Sequence, residues 1–236
     1  VRLAHMISKA GKKSALMAAL LQNRDIMFDK NNSDFQLRLN KFNDGFYSKK
    51  INAGLYSQIK RDQKVLEKLA RDNTGLSPAQ SLALAFPDRI GKKRNGSNSK
   101  YILSNGKGAY VPRDDPLSKK RYIVAADMDG DQRDSKIRLG IEISENEIRE
   151  LFADTIVWQE TCYWSTREKR VKAIRTERLG KIPIKTETWA NPPTEKISSA
   201  ILDGIEDLGF NFGTAEEQFI ARVKIGGEDY PNMEKS

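Results

Sequence analysis

Between Arg89 and Arg121 the chain concentrates ten cations (Arg89, Lys92, Lys93, Arg94, Lys100, Lys107, Arg113, Lys119, Lys120 and Arg121) against two carboxylates, Asp114 and Asp115. The local balance is +8, and Tyr101, Tyr110 and Tyr122 are interleaved with the charges. Lys and Arg displace the counterions condensed on a phosphate backbone, and a tyrosine ring stacks on any unpaired base. The chemistry that suits this pattern is the holding of single-stranded nucleic acid. The residues expected to make contact are Arg89, Lys92, Lys93, Arg94, Lys100, Tyr101, Lys107, Tyr110 and Arg113.

Signals for catalysis are weak by comparison. No G-x-x-x-x-G-K-[ST] loop is present, and Gly106-Lys107-Gly108 lacks both the leading glycine and the hydroxyl residue. His5 is the only histidine and Cys162 the only cysteine, so a disulfide framework and a zinc cluster are excluded and a Cys-His dyad is not expected. His5 reads as a packing or surface residue, and Cys162 as a small apolar group in a strand. Asp127-Met128-Asp129-Gly130-Asp131 suggests calcium at first sight. An EF-hand loop needs glycine at its sixth position and glutamate at its twelfth; counted from Asp127, glycine is fourth and the twelfth residue is Arg138. A solvated hairpin loop is the better reading. No catalytic residue, metal ligand or resident cofactor is expected.

The wider composition agrees with a polyanion-binding role. The 236 residues carry 41 Lys and Arg against 32 Asp and Glu, a net charge of +9. Residues 1–194 hold a balance of +14 and residues 195–236 one of −5, so a basic body is followed by an acidic tail. No apolar run reaches the roughly 20 residues that a bilayer requires, and a membrane partner is not expected. The single cysteine fits a reducing cytoplasm. The chain begins with Val and has the abrupt ends of a fragment.

The elements that must carry these residues divide by pattern into an α+β arrangement. Residues 1–86 read as helical: Lys12–Gln22, Asp34–Phe42, and Ile51–Arg71, where Ile51, Leu55, Ile59, Leu66 and Leu69 form a stripe with Lys60, Lys64, Lys68 and Arg71 opposite. Ser77 caps the next helix, with Pro78 in its first turn. Residues 87–152 change to short strands. Arg89–Arg94 reads as a basic loop, Lys100–Ser104 and Ala109–Val111 flank an Asn105-Gly106-Lys107-Gly108 turn, and Arg121–Met128 and Lys136–Ile143 flank an Asp-Gly loop. A capping box of Ser144 and Glu147 opens a helix to Phe152. This is the make-up of a small barrel such as an OB-fold. Residues 153–236 add strands over Phe152–Trp164 and Val171–Trp189, a second basic region from Arg167 to Arg178, and helices over Thr194–Leu208 and Ala215–Val223.

The run Leu82-Ala83-Leu84-Ala85-Phe86-Pro87-Asp88-Arg89-Ile90, followed by Lys92-Lys93-Arg94, resembles the bacterial HrpB family of ATP-dependent RNA helicases, in the DEAH/RHA group. Tyr101 to Ala109 matches the family's strand and N-G-[RK]-G-A turn, and Asp115-Pro116-Leu117, Tyr122–Met128 and Lys136-Ile137-Arg138-Leu139 keep its order. Arg2 to Met6 and Ala18 to Asp25 extend the resemblance upstream; Val157-Trp158, Leu179-Gly180 and Gln218–Val223 extend it downstream. Phe86 and Gly91 depart from the usual tyrosine and alanine.

The resemblance implies a helical ratchet domain at 1–86, an OB-fold-like barrel at 87–152 and the start of a C-terminal region at 153–236. The RecA-like motor domains, with ATP and Mg2+, would lie before Val1. It further implies that this piece grips single-stranded RNA, or DNA, at a channel exit while its own motor domains hydrolyse ATP. The competing expectation is a protein-docking platform on the barrel for a regulator of the helicase.

Overall fold

The computed structural model describes residues 1–27, 31–45, 52–70, 72, 74–130 and 134–209. Two compact units result, one of Val1–Gln159 with Thr176–Thr186, the other of Glu160–Arg175 with the residues from Glu187 onward.

The first unit begins with five helices: α1 (Arg2–Ala10), α2 (Lys13–Gln22), α3 (Phe35–Asn43), α4 (Ala53–Leu69) and α5 (Pro78–Ala85). The Ala-, Leu- and Met-rich α2 is apolar on all sides and is buried from Ser14 to Leu20, as such a helix must be. Met6, Phe35, Ile59 and Leu82, all fully buried, centre the helical core. Only part of the stripe expected on α4 is covered. Ile59 is buried and Leu55 and Leu66 pack partly, whereas Leu69, in the last turn, is 73% exposed; Ile51 lies outside the described residues.

Five strands then close a barrel in the order β1-β2-β3-β5-β4: β1 (Ile90–Lys93), β2 (Lys100–Leu103), β3 (Gly108–Tyr110), β4 (Tyr122–Met128) and β5 (Asp134–Glu142). All pairs are antiparallel except β3 with β5. Strand alternation separates two cores. Tyr101, Leu103, Ala109, Val111, Leu117, Ile123, Ala125 and Ile137 fill the barrel, while Ile90, Tyr122, Val124, Ile141 and Ile143 pack outward on the helical core.

One expectation is corrected at the first strand of the barrel. The Arg89–Arg94 segment is not a loop: Ile90–Lys93 is β1, paired with β2 and β4 through Gly91 and Lys92. A Cβ on Gly91 would meet Leu103 at 3.1 Å and Ile123 at 3.3 Å, so glycine keeps the wall narrow there. β4 also carries an irregularity between Ala125 and Asp127. The carbonyl of Ala126 accepts from Arg89 Nη1 at 3.1 Å.

The helical layer is strapped to the barrel at Ser33 and Asp34. Gly140 N–H donates to the Ser33 carbonyl at 2.9 Å, and Ser33 N–H donates to the buried Asp115 carboxylate at 2.7 Å. A side chain at Gly140 would come within 2.9 Å of the Val124 carbonyl, so this strap needs glycine. Helix α6 (Glu145–Leu151) is joined to α5 through their capping boxes. Ser77 caps α5, Ser144 caps α6, and Glu147 accepts from both hydroxyls. Burial pushes the Glu147 carboxyl up, but the hydrogen bonds from Ser77 and Ser144 outweigh it and hold the group below its ordinary value of 4.5.

Strands β6 (Val157–Ser165), β7 (Arg170–Leu179) and β8 (Ile182–Thr188) form a three-stranded meander, its tight connections requiring antiparallel neighbours. The Gly180-Lys181 turn splits the single stretch expected over Val171–Trp189. Leu179, Ile182 and Ile184 join the core of the first unit. In the second unit, α7 (Thr194–Leu208) packs Gly204 on the Trp164 ring, where an added Cβ would come within 2.6 Å, and Asp207 accepts from Trp164 Nε1 and Lys169 Nζ. The helix expected over Ala215–Val223 lies outside the described residues.

Candidate nucleic-acid interface

Strand geometry sorts the candidate residues by which side of the barrel wall they occupy. Tyr101 faces inward. It is fully buried, and its hydroxyl lies 2.6 Å from the Leu117 carbonyl and 2.9 Å from that of Lys120. Burial, with Asp115 and Glu142 nearby, pushes its phenol well above the ordinary value of 10. The ring cannot reach a base, so the expectation that Tyr101 stacks is corrected: it is the central side chain of the barrel core.

Lys92 is committed elsewhere as well. It lies on the outward side of β1, opposite Tyr122, with Nζ 5.8 Å from that ring and donating to the Pro183 and Ile184 carbonyls, 2.5 and 3.4 Å away. Burial and the neighbouring Arg121 guanidinium lower its pKa, Glu145 acting in the opposite sense. It fastens β8 to the barrel. Arg89 is partly buried, with its guanidinium over the Phe86 ring at 5.1 Å and bonded to Ala126.

A different set converges on the outer face of β2, β3 and β5. Lys100 pairs with Tyr110 across β2 and β3, and Tyr110 with Lys136 across β3 and β5. Paired residues point to the same side, and Tyr101, Ala109 and Ile137 point in; the row Lys100–Tyr110–Lys136 therefore points out. Both lysines are exposed and Tyr110 is half-exposed. Arg138, two residues beyond Lys136, is exposed too, as are Lys107 in the β2–β3 turn and Arg113 after β3. Lys136 and Arg138 are not among the contacts expected from sequence; only the parallel register of β5 on β3 brings Lys136 beside Tyr110.

One carboxylate tunes this face. Asp134 lies 3.1 Å from Lys100 Nζ and 3.6 Å from Arg94 Nη2. It sits directly over Gly108, where a Cβ would fall 1.7 Å from Asp134 Oδ1, so glycine makes room for the anion. The downstream basic region differs: Glu168 pairs with Arg170 and Lys172, Glu187 with Arg175, and Asp207 with Lys169. Four of its six cations are thus held by carboxylates of their own unit.

Below the row is a cleft of about 790 Å³ between the helical layer and β5. Among the described residues no group of three or more His, Cys, Asp or Glu is placed to hold a metal ion, and no helix is long and apolar enough to cross a membrane.

No family model matches the chain. It is 27% identical over 184 residues, 74% of its length, to the ATP-dependent RNA helicase HrpB of Escherichia coli strain K12, and that match covers 22% of the relative. Two crystal structures share its fold, one of the E. coli DExH-box NTPase HrpB with a TM-score of 0.63 over 100% of this chain and 29% of that one. The second, of the E. coli DEAH/RHA helicase HrpB, has a TM-score of 0.61 over 98% and 29%; both are 24% identical. The chain spans less than a third of either. In sequence and in fold, its helices, closed barrel and meander are similar to a region of HrpB.

Proposed function

We propose that the chain is the nucleic-acid-holding accessory region of an HrpB-like helicase, gripping single-stranded RNA on the outer face of β2, β3 and β5. The observation that carries this reading is the cross-strand row Lys100–Tyr110–Lys136, a half-exposed aromatic ring between two exposed cations. The barrel resembles a five-stranded OB-fold, a class that takes oligonucleotides on its strand 2–3 face and the loops beside it. Arg94 opens the β1–β2 connection, and Lys107, Arg113 and Arg138 extend the positive surface around the row. Phosphate contacts supply the grip, stacking on Tyr110 adds sequence-tolerant affinity, and neither reads base identity.

In this reading the three parts are a ratchet domain at 1–86, the barrel at 87–152 and a C-terminal region from 153. ATP and Mg2+ act on motor domains that this chain does not include, and the grip holds the strand between their steps. A docking platform on the barrel is less well supported. The exposed large apolar side chains among the described residues include Val65, Leu69, Trp158, Tyr163 and Leu202, and none lies between 87 and 152.

The test is fluorescence anisotropy of the chain with a labelled 12-nucleotide U-tract across a salt series, repeated with Lys100→Glu and Lys136→Glu. Salt-dependent binding that either reversal weakens supports the proposal. Binding that ignores both reversals refutes it.

A further inference from the structure

The cleft below the row has features that strand gripping does not use. Leu3, Leu20, Leu21, Ile26 and Phe86 line it with apolar groups. Charged groups line it as well: Asp114 and Asp127 are exposed carboxylates, Lys136 and Arg138 exposed cations. None of these four side chains makes an ion pair or hydrogen bond with another described residue; Lys136 donates only its backbone N–H, to Asp129. The other two carboxylates there are already used. Asp25 binds Arg38 and Asp115 accepts from two backbone N–H groups.

A volume of about 790 Å³ falls in the usual range for small-ligand pockets, roughly 300–1,000 Å³. Its lining suits a ligand with a flat, partly apolar body, an anionic group for Lys136 and Arg138, and N–H donors for a carboxylate. A nucleotide of the bound strand has that combination. Among the bases guanine alone presents two adjacent N–H donors, on N1 and the exocyclic N2, which match the two oxygens of one carboxylate. Adenine and cytosine offer an amino group without that partner, and uracil a single ring N–H.

From this we infer that the cleft takes one base of the held strand and prefers guanine, with Asp127 or Asp114 accepting from its Watson–Crick edge and Lys136 and Arg138 holding its phosphate. The inference rests on the nucleic-acid reading above and adds base selectivity to a surface that is otherwise blind to sequence. Lys136 belongs to both features, so a strand crossing Tyr110 passes directly to the cleft mouth.

The experiment compares the same chain with a 12-nucleotide U-tract, the tract with one central guanosine, and the tract with inosine, which lacks the N2 amino group. A bidentate base contact is worth about a 10-fold preference. The expected result is therefore tighter binding of the guanosine tract by about that factor, with most of the gain lost for inosine. Asp127→Asn or Asp114→Asn should abolish the gain and leave U-tract affinity and its salt slope unchanged. Both residues are exposed, and a thermal melt equal to the parent shows that the fold is kept. Equal, salt-dependent binding of all three oligonucleotides overturns the inference and leaves the grip intact. Absence of salt-dependent binding to any of them overturns both.

Discussion

Replacing Tyr101 with Phe separates the barrel's architecture from its binding face. The ring is fully buried and its hydroxyl reaches two backbone carbonyls, at 2.6 and 2.9 Å. Phenylalanine keeps the apolar volume and removes the donor; the Leu117 carbonyl still accepts from Lys120 N–H, while the Lys120 carbonyl loses the hydroxyl. A buried acceptor left this way costs roughly 1–3 kcal/mol. With a urea m-value of roughly 1–3 kcal/mol/M, the unfolding midpoint should fall by about 1 M. Tyr101→Ala, which also opens a cavity, should cost about 3–5 kcal/mol. Urea unfolding followed by tryptophan fluorescence gives the stability, and anisotropy with the U-tract gives the affinity of the folded variant. Tyr101→Phe should leave that affinity unchanged. Tyr110→Ala should do the reverse, keeping the midpoint and losing roughly 1–3 kcal/mol of binding if one base stacks there. A Tyr101→Phe protein as stable as the parent but weakened in binding would refute the placement of the ring.

Three further outcomes follow from particular contacts. Asp134→Asn releases Arg94 and Lys100 from their shared anion, and should tighten U-tract binding severalfold and steepen its salt dependence; weaker binding would mean that Asp134 orients these cations instead of masking them. Lys92→Met removes the bonds to the Pro183 and Ile184 carbonyls and should destabilise the fold by about 1 kcal/mol without altering the salt slope, whereas a flatter slope would restore Lys92 as a phosphate contact. Glu147 has a folded-state pKa below its unfolded value, so its contribution is present above about pH 4.5 and is lost as pH falls through the lower folded value. The stability gap between parent and Glu147→Gln, from thermal melts between pH 3 and 7, should thus be widest near neutrality and close on acidification.

Much of this arrangement is legible in the sequence, because much of it is local. The Ser77 cap and the Ser144–Glu147 capping box are encoded in single residues at fixed spacing, and both form where the sequence places them. Helix α2 and the Asn105-Gly106 turn, where Gly106 has φ +90°, are equally local. The binding face is only half legible because it depends on which side of a wall each residue takes. Tyr101 and Lys100 are neighbours in sequence, yet one fills the barrel and the other faces solvent. Charge density cannot show that Arg89–Arg94 belongs to a strand, nor that Lys92 is claimed by carbonyls about 90 residues away. Lys136 escapes a reading by charge because it reaches Tyr110 through a parallel pairing of strands separated by β4, and nothing in either strand's own sequence encodes that register.

The central claim is that the outer face of β2, β3 and β5 holds phosphates, and the slope of log K against log salt tests it most directly. If Lys100, Lys107, Arg113, Lys136 and Arg138 each meet one phosphate, the slope for single-stranded RNA should be about −3.5, from roughly −0.7 per contact. Reversing Lys100 and Lys136 together should bring it to about −2. A slope near zero, or one of −3.5 that survives the double reversal, would contradict the account.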